Sequence, residues 1–201
     1  MSPEKLTVAV DIDEVLADHA EAFIEFSNKL YGTNNTIDDY TEYWAELFKI
    51  SNEEVHNLGL EAYKDGAMRR FNHKKDSEQV LRKLSQKYNL VVVTARKTIR
   101  RDDTLAWLEE RYSGIFSDVH FAGFWDEVTD DSVHATKKEL VQTIGADFLI
   151  DDQPKHCEAV AEAGIQAILF GDYAWNRGYK SHKNLVKLHD WASVGDYLWR
   201  Q

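Results

Sequence analysis

Five short apolar runs punctuate the chain: Leu6 to Val10, Leu90 to Thr94, Val119 to Ala122, Phe148 to Ile150 and Ala167 to Phe170. Each is too brief for a helix and rich in Val, Ile, Leu or Phe, the pattern of strands buried on both faces of a parallel sheet. Between the last four, apolar residues fall three or four apart: Leu105, Leu108 and Tyr112, then Leu140, Val141 and Ile144, then Cys157, Val160 and Ala161. Strands alternating with amphipathic helices predict an α/β protein with a doubly wound, parallel, five-stranded Rossmann-like sheet. Helix ends fit the same frame. Gly32, Gly145 and Gly164 stand where a left-handed cap is wanted, and Pro154 stands near a helix start.

The pattern breaks between the first two strands, where about 80 residues replace the crossover of a dozen or more that a parallel pair needs. This insert predicts a helix over Val15 to Tyr31, a polar turn at Thr33 to Asp39 and an aromatic group of Tyr40, Tyr43, Trp44 and Phe48. A further helix opens at Ser51, with Glu54 three residues on as in a capping box. The helix Ser77 to Tyr88 leads back to the sheet. The expected division is a core of residues 1–16 and 77–201 with a small helical cap at 17–76.

Composition narrows the function classes. At 201 residues the chain is one domain or one domain with a modest insertion, and no repeat or low-complexity stretch is visible. A net charge of -11 argues against binding a nucleic-acid polymer through its phosphates. No apolar run approaches the roughly 20 residues of a membrane span. The first apolar stretch meets Asp11 too early for a signal peptide, so a cytoplasmic protein is expected. With Cys157 as the single cysteine there is no internal disulfide, and neither it nor the eight histidines show metal-ligand spacing.

The carboxylates carry the chemistry. Strand one runs into Asp11-Ile12-Asp13, two acids that point the same way in extended geometry, and strand four runs into Asp151-Asp152. Ligands of open α/β sheets sit at the carboxyl ends of strands where strand order reverses, so neighbouring strands one and four would bring these acids together. Clustered like charges demand a cation. A hard divalent ion such as Mg²⁺, held by carboxylates and carbonyl oxygen and completed by water and a phosphate, meets the demand. Thr94, which ends strand two, offers a hydroxyl and neighbouring backbone amides at Ala95 and Arg96 to a phosphoryl oxygen. Lys137 or Lys138 would bring an ammonium to the same place. Trp175, Asn176 and Arg177 follow strand five at this edge and are open to a lining role or to covering the sheet. Arg96, Arg100 and Arg101 are open to an anionic substrate or to solvent, and His156 is expected at the surface.

These motifs, in this order, resemble the haloacid dehalogenase superfamily: Asp-x-Asp-x-Val, then Thr, then Lys, then hydrophobic-Asp-Asp. Within it, Val8 to Asp18, Leu149 to Pro154 and the segment Phe170 to Arg177 look like the 5'(3')-deoxyribonucleotidase family and its bacterial relatives. Glu14 departs from the family's common glycine, and Thr94-Ala95-Arg96 replaces its Thr-Ser-Pro. The resemblance implies a phosphatase acting on a small phosphate monoester, with Asp11 as nucleophile and Asp13 as general acid and base. It implies Mg²⁺ held by Asp11, the Asp13 carbonyl and Asp152, with Asp151 behind them. Thr94, Ala95, Arg96 and Lys137 would bind the phosphate, Lys137 being preferred to Lys138. The insert after strand one is where such enzymes carry a cap. Its aromatics favour nucleoside monophosphates, deoxyribonucleotides foremost, over another small monoester. A receiver-like signalling module would also cluster Asp, Thr and Lys around Mg²⁺ but needs no general acid. A phosphatase of nucleic-acid ends, or an idle binding protein, fits the charge and the intact acids less well.

Overall fold

The computed structural model describes residues 5–122 and 136–201. Six parallel strands form the sheet: β1 (Thr7–Val10), β2 (Asn89–Thr94), β3 (Asp118–Phe121), β4 (Phe148–Asp151), β5 (Gln166–Phe170) and β6 (Leu185–Leu188), in the order β3-β2-β1-β4-β5-β6. That is the doubly wound order, and strands one and four are neighbours. The five expected strands lie within a residue of their apolar runs. The sixth corrects the expected count: β6 is an edge strand whose Leu-Val-Lys-Leu sequence carries no continuous apolar run.

Side chains alternate between two cores. Val8, Val10, Val92, Ile150 and Ile168 face one side with Leu81, Trp107, Tyr112 and Trp191. These last four come from α4 (Ser77–Leu84), α5 (Arg101–Tyr112) and α8 (Trp191–Trp199). Ala9, Val91, Val93, Leu149 and Leu169 face the other side with Val141, Cys157 and Val160, from α6 (Lys137–Ile144) and α7 (Pro154–Glu162). Layers of helix, sheet and helix result. Gly32 and Gly145 are left-handed caps, and Pro154 opens α7.

Between β1 and β2 lie α1 (His19–Tyr31), α2 (Trp44–Phe48) and α3 (Asn52–Ala62), the last opened by the Ser51–Glu54 capping box. The helix expected from Val15 starts instead at His19. Leu16 and Ala17 both donate to the Ile12 carbonyl, which closes a tight loop over residues 12–17. Three buried donors pin that loop or its neighbour: Trp191 to Val15 O (2.8 Å), Tyr112 to Leu16 O (3.1 Å) and Trp107 to Phe71 O (2.9 Å). Core packing there takes the apolar side chains that suggested helix. The helix expected to reach Tyr88 ends at Leu84, and Tyr88 instead bonds Leu198 O at 2.6 Å.

Candidate active site

The register of the central strands builds the site. Val10 pairs with Ile150, so the next residues, Asp11 and Asp151, emerge side by side at the carboxyl edge, with Asp11 N donating to Ile150 O. Asp152 follows. One carboxylate oxygen each of Asp11, Asp151 and Asp152 lies within 4.8 Å of the others, and all three residues are buried.

Of the two adjacent lysines, Lys137 at the first turn of α6 turns inward. Its Nζ lies 2.8 Å from Asp11 Oδ2 and 2.6 Å from Asp151 Oδ2. Asp151 also accepts from Gln153 N, so both its oxygens are engaged by the protein. Asp152 Oδ2 accepts from Trp175 Nε1 at 2.7 Å and Gln153 Nε2 at 3.1 Å. Burial pushes the Asp11 carboxyl up, against Lys137, and Asp151 and Asp13 push it further. Burial and the neighbouring Asp151 likewise raise Asp152 well above the usual carboxylate range. For Asp151, Lys137 outweighs burial and the pKa falls. Three carboxylates thus cluster at one ammonium, which pairs with Asp11 and Asp151, and the carboxylates are in excess.

Asp13 is held differently. Arg96 Nε donates to both its oxygens at 3.1 and 3.0 Å, and Nη2 donates to Oδ1 at 2.6 Å. Burial would raise the Asp13 carboxyl, but the guanidinium outweighs it and holds it down at about 2. Arg96 therefore grips Asp13, where the sequence suggested a phosphate contact. Thr94 is buried under the loop and its Oγ1 accepts from Arg96 N at 3.2 Å, while Ala95 and Arg96 line a cavity above the carboxylates.

That cavity, about 340 Å³, has Asp11, Asp13, Glu14, Lys137 and Asp152 on its floor and residues of the insertion opposite, among them Tyr40, Trp44 and Tyr63. Phe48 packs on Tyr31 and Phe23, Phe71 is buried in the core, and Tyr43 is exposed. His19, with Tyr63 unremarked in the sequence reading, bonds the Tyr63 hydroxyl through Nε2 at 2.6 Å, and its Nδ1 lies 3.5 Å from Glu14 Oε2. Burial works against a charge on His19, but Asp13 and Glu14 outweigh it and raise its pKa. No motif singles out this pair, because Tyr63 lies 44 residues from His19 and meets it only in the fold.

Glu14 stands apart from the three clustered carboxylates. Its φ is +61°, in the left-handed region that favours glycine. Its Oε1 accepts from Ala20 N at 2.5 Å, so Glu14 caps α1, while Asp18, the residue in the capping position, pairs with Lys74. Trp175 and Asn176 support Asp152 from outside the cavity, Asn176 Nδ2 bonding the Asp152 and Phe170 carbonyls at 2.9 Å each. Arg177 is turned to Asp38, and Arg101 lies over the Phe121 ring. Arg100 reaches the cavity wall. His156 corrects the surface expectation: it is half-buried, lines the cavity, and burial pulls its pKa down to about 4.

A doubly wound sheet with paired acids after β1 and β4, a lysine between them and an insertion after β1 defines a haloacid dehalogenase-like phosphatase. A solved haloacid dehalogenase-like hydrolase of Streptococcus pneumoniae shares this fold with a TM-score of 0.68 at 14% identity, over 98% of this chain and 99% of that one. Residues 5–201 match the family of the 5' nucleotidase, deoxy (pyrimidine), cytosolic type C protein, and the chain belongs to that family. It is 26% identical over 197 residues to a nucleotidase of Clostridium acetobutylicum, covering 95% of this chain and 92% of the relative. It is also 26% identical over 194 residues to a Staphylococcus epidermidis protein named as a 5'(3')-deoxyribonucleotidase, covering 95% and 94%. The protein is a phosphomonoester hydrolase.

Proposed function

We propose that the protein hydrolyses nucleoside monophosphates, deoxyribonucleotides foremost, in a Mg²⁺-dependent reaction through an aspartyl-phosphate at Asp11. The observation that carries this is the buried set Asp11, Asp151, Asp152 and Lys137 beneath a cavity walled by Tyr40, Trp44 and Tyr63.

The donor set fits a divalent ion. Its atoms are hard oxygens, and the three carboxylates outnumber the single ammonium among them. Asp11, Asp152 and the Asp13 carbonyl would hold it, with Asp151 steadying Lys137. When bound, the ion would neutralise charge on the phosphoryl oxygens and on Asp11.

Asp11 would attack phosphorus as the ester bond breaks, with Asp13 giving its proton to the leaving alkoxide. Water would then attack the phosphoenzyme, Asp13 taking the proton back and Asp11 being freed. Lys137 would hold a phosphoryl oxygen, and Thr94 with the Ala95 amide at the end of β2 another. Residues 17–76 would act as a cap over residues 1–16 and 77–201, excluding water and receiving the leaving group. A planar base gains from the aromatic wall, whereas a bare sugar would gain more from polar groups.

Specificity constants with Mg²⁺ on dUMP, dTMP, AMP, a hexose phosphate and a triose phosphate test the substrate class. A nucleotide is expected to lead. A sugar phosphate ahead of every nucleotide by about tenfold, some 1.4 kcal/mol of transition-state binding, would overturn the nucleotidase reading and leave the phosphatase standing.

A further inference from the structure

Arg96, which follows β2, is buried at the carboxyl edge of the sheet. Its side chain is 3% exposed, its Nη1 donates to Thr104 Oγ1 of α5 at 3.3 Å, and its guanidinium carbon lies 5.8 Å from the Phe71 ring and 5.9 Å from that of Trp107. The Trp107 indole in turn donates to Phe71 O, so the two rings against the guanidinium are tied to each other. Nε and Nη2 go to Asp13, as a two-pronged grip that fixes a carboxylate plane as well as its position. Lys137 already supplies a cation 2.8 Å from Asp11.

We propose that Arg96 is a positioning residue: anchored by Thr104, Phe71 and Trp107, it aims the Asp13 carboxylate at the leaving-group oxygen and does not itself hold the phosphoryl group. The inference rests on the reading of Asp13 as the acid and base. The two Asp13 oxygens are unequal in the grip. Oδ1 takes Nε and the short Nη2 contact, whereas Oδ2 takes Nε alone at 3.0 Å. In the proposed reaction Asp13 carries the travelling proton. It releases the proton to the leaving oxygen as the ester P–O bond breaks and the Asp11–phosphorus bond forms. It recovers a proton from water as the water oxygen bonds to phosphorus and the Asp11–phosphorus bond breaks. Proton and electron pairs balance over the two steps with water as the only co-reactant.

A double-mutant cycle tests this on the full-length protein with Mg²⁺, using whichever nucleotide of the panel is turned over fastest, and inorganic phosphate as inhibitor. Arg96→Gln is expected to lower kcat by about tenfold or more, with KM and the inhibition constant of phosphate moving less than about threefold. Arg96→Lys, which keeps a donor but not the fork, should recover part of kcat. Because Arg96 acts through Asp13, Asp13→Asn and Asp13→Asn with Arg96→Gln should have equal residual rates. A tenfold or greater rise in KM and in the phosphate inhibition constant would overturn the proposal, as would losses that multiply in the double variant. If Arg96→Gln fails to fold by circular dichroism, Arg96→Lys takes its place in the cycle with the same criteria. Wild-type turnover by Asp13→Asn would instead remove the acid-base reading, and the inference with it.

Discussion

His156 lies on the first turn of α7 beside the Asp151–Lys137 pair, and burial lowers its pKa to about 4. In the unfolded chain it titrates near 6.5. Between these values the unfolded state binds a proton that the folded state refuses, so acidification through this window costs stability. His156→Gln should remove that cost. Urea titrations at pH 7 and pH 4.5 are expected to show the wild type losing up to about 2 kcal/mol more than the variant, and equal losses would place the imidazole in solvent. At this scale the sequence was most legible where chemistry is local: Asp11, Asp151 and Asp152 announce themselves by following buried strands. It was least legible where partners are distant. Arg96 and Asp13 are 83 residues apart, and no periodicity predicts that a guanidinium after β2 folds back onto an acid after β1.

Glu14 shows how one residue sets the start of an element. Its left-handed backbone is costly for a side chain with a Cβ, and the carboxylate offsets this by capping α1 at Ala20 N. Glu14→Ala should keep the strain and lose the cap, lowering stability by about 1–2 kcal/mol. Glu14→Gly should lose the cap but relieve the strain, and is expected to be more stable than the alanine variant by about 1 kcal/mol. Melting temperatures check the order of the three proteins, and a glycine variant less stable than alanine would contradict it. Strands were readable because burial on both faces leaves unbroken apolar runs. The loop after β1 misled for the same reason: Val15, Leu16 and Ala17 are wholly buried, yet their backbone turns around Ile12 O, and apolar spacing does not distinguish a pinned loop from a helix. The edge strand β6 escaped because only Leu185 of its four residues is buried.

Over the whole molecule, strand order is the property on which the site depends, since only adjacency of β1 and β4 lets Asp11 and Asp151 share Lys137. In the sequence that adjacency was a condition, set by the rule that ligands sit where strand order reverses, whereas the course of the insertion and its Tyr63–His19 contact depended on packing between distant segments. No helix among the described residues is long and apolar enough to cross a membrane. The excess negative charge at the sheet edge couples metal binding to the fold: Mg²⁺ should raise the melting temperature by mass action and restore activity lost to EDTA. Ca²⁺ should bind with little turnover, because its looser coordination misaligns attack, and full activity in excess EDTA would refute the metal site. Whether Asp11 carries the phosphoryl group is read from the turnover of Asp11→Asn. The amide is nearly isosteric and lacks the nucleophilic oxygen anion, so phosphate release from the best substrate should fall to background while the variant melts as a folded protein. Release at the wild-type rate by that variant would show that Asp11 is not the nucleophile.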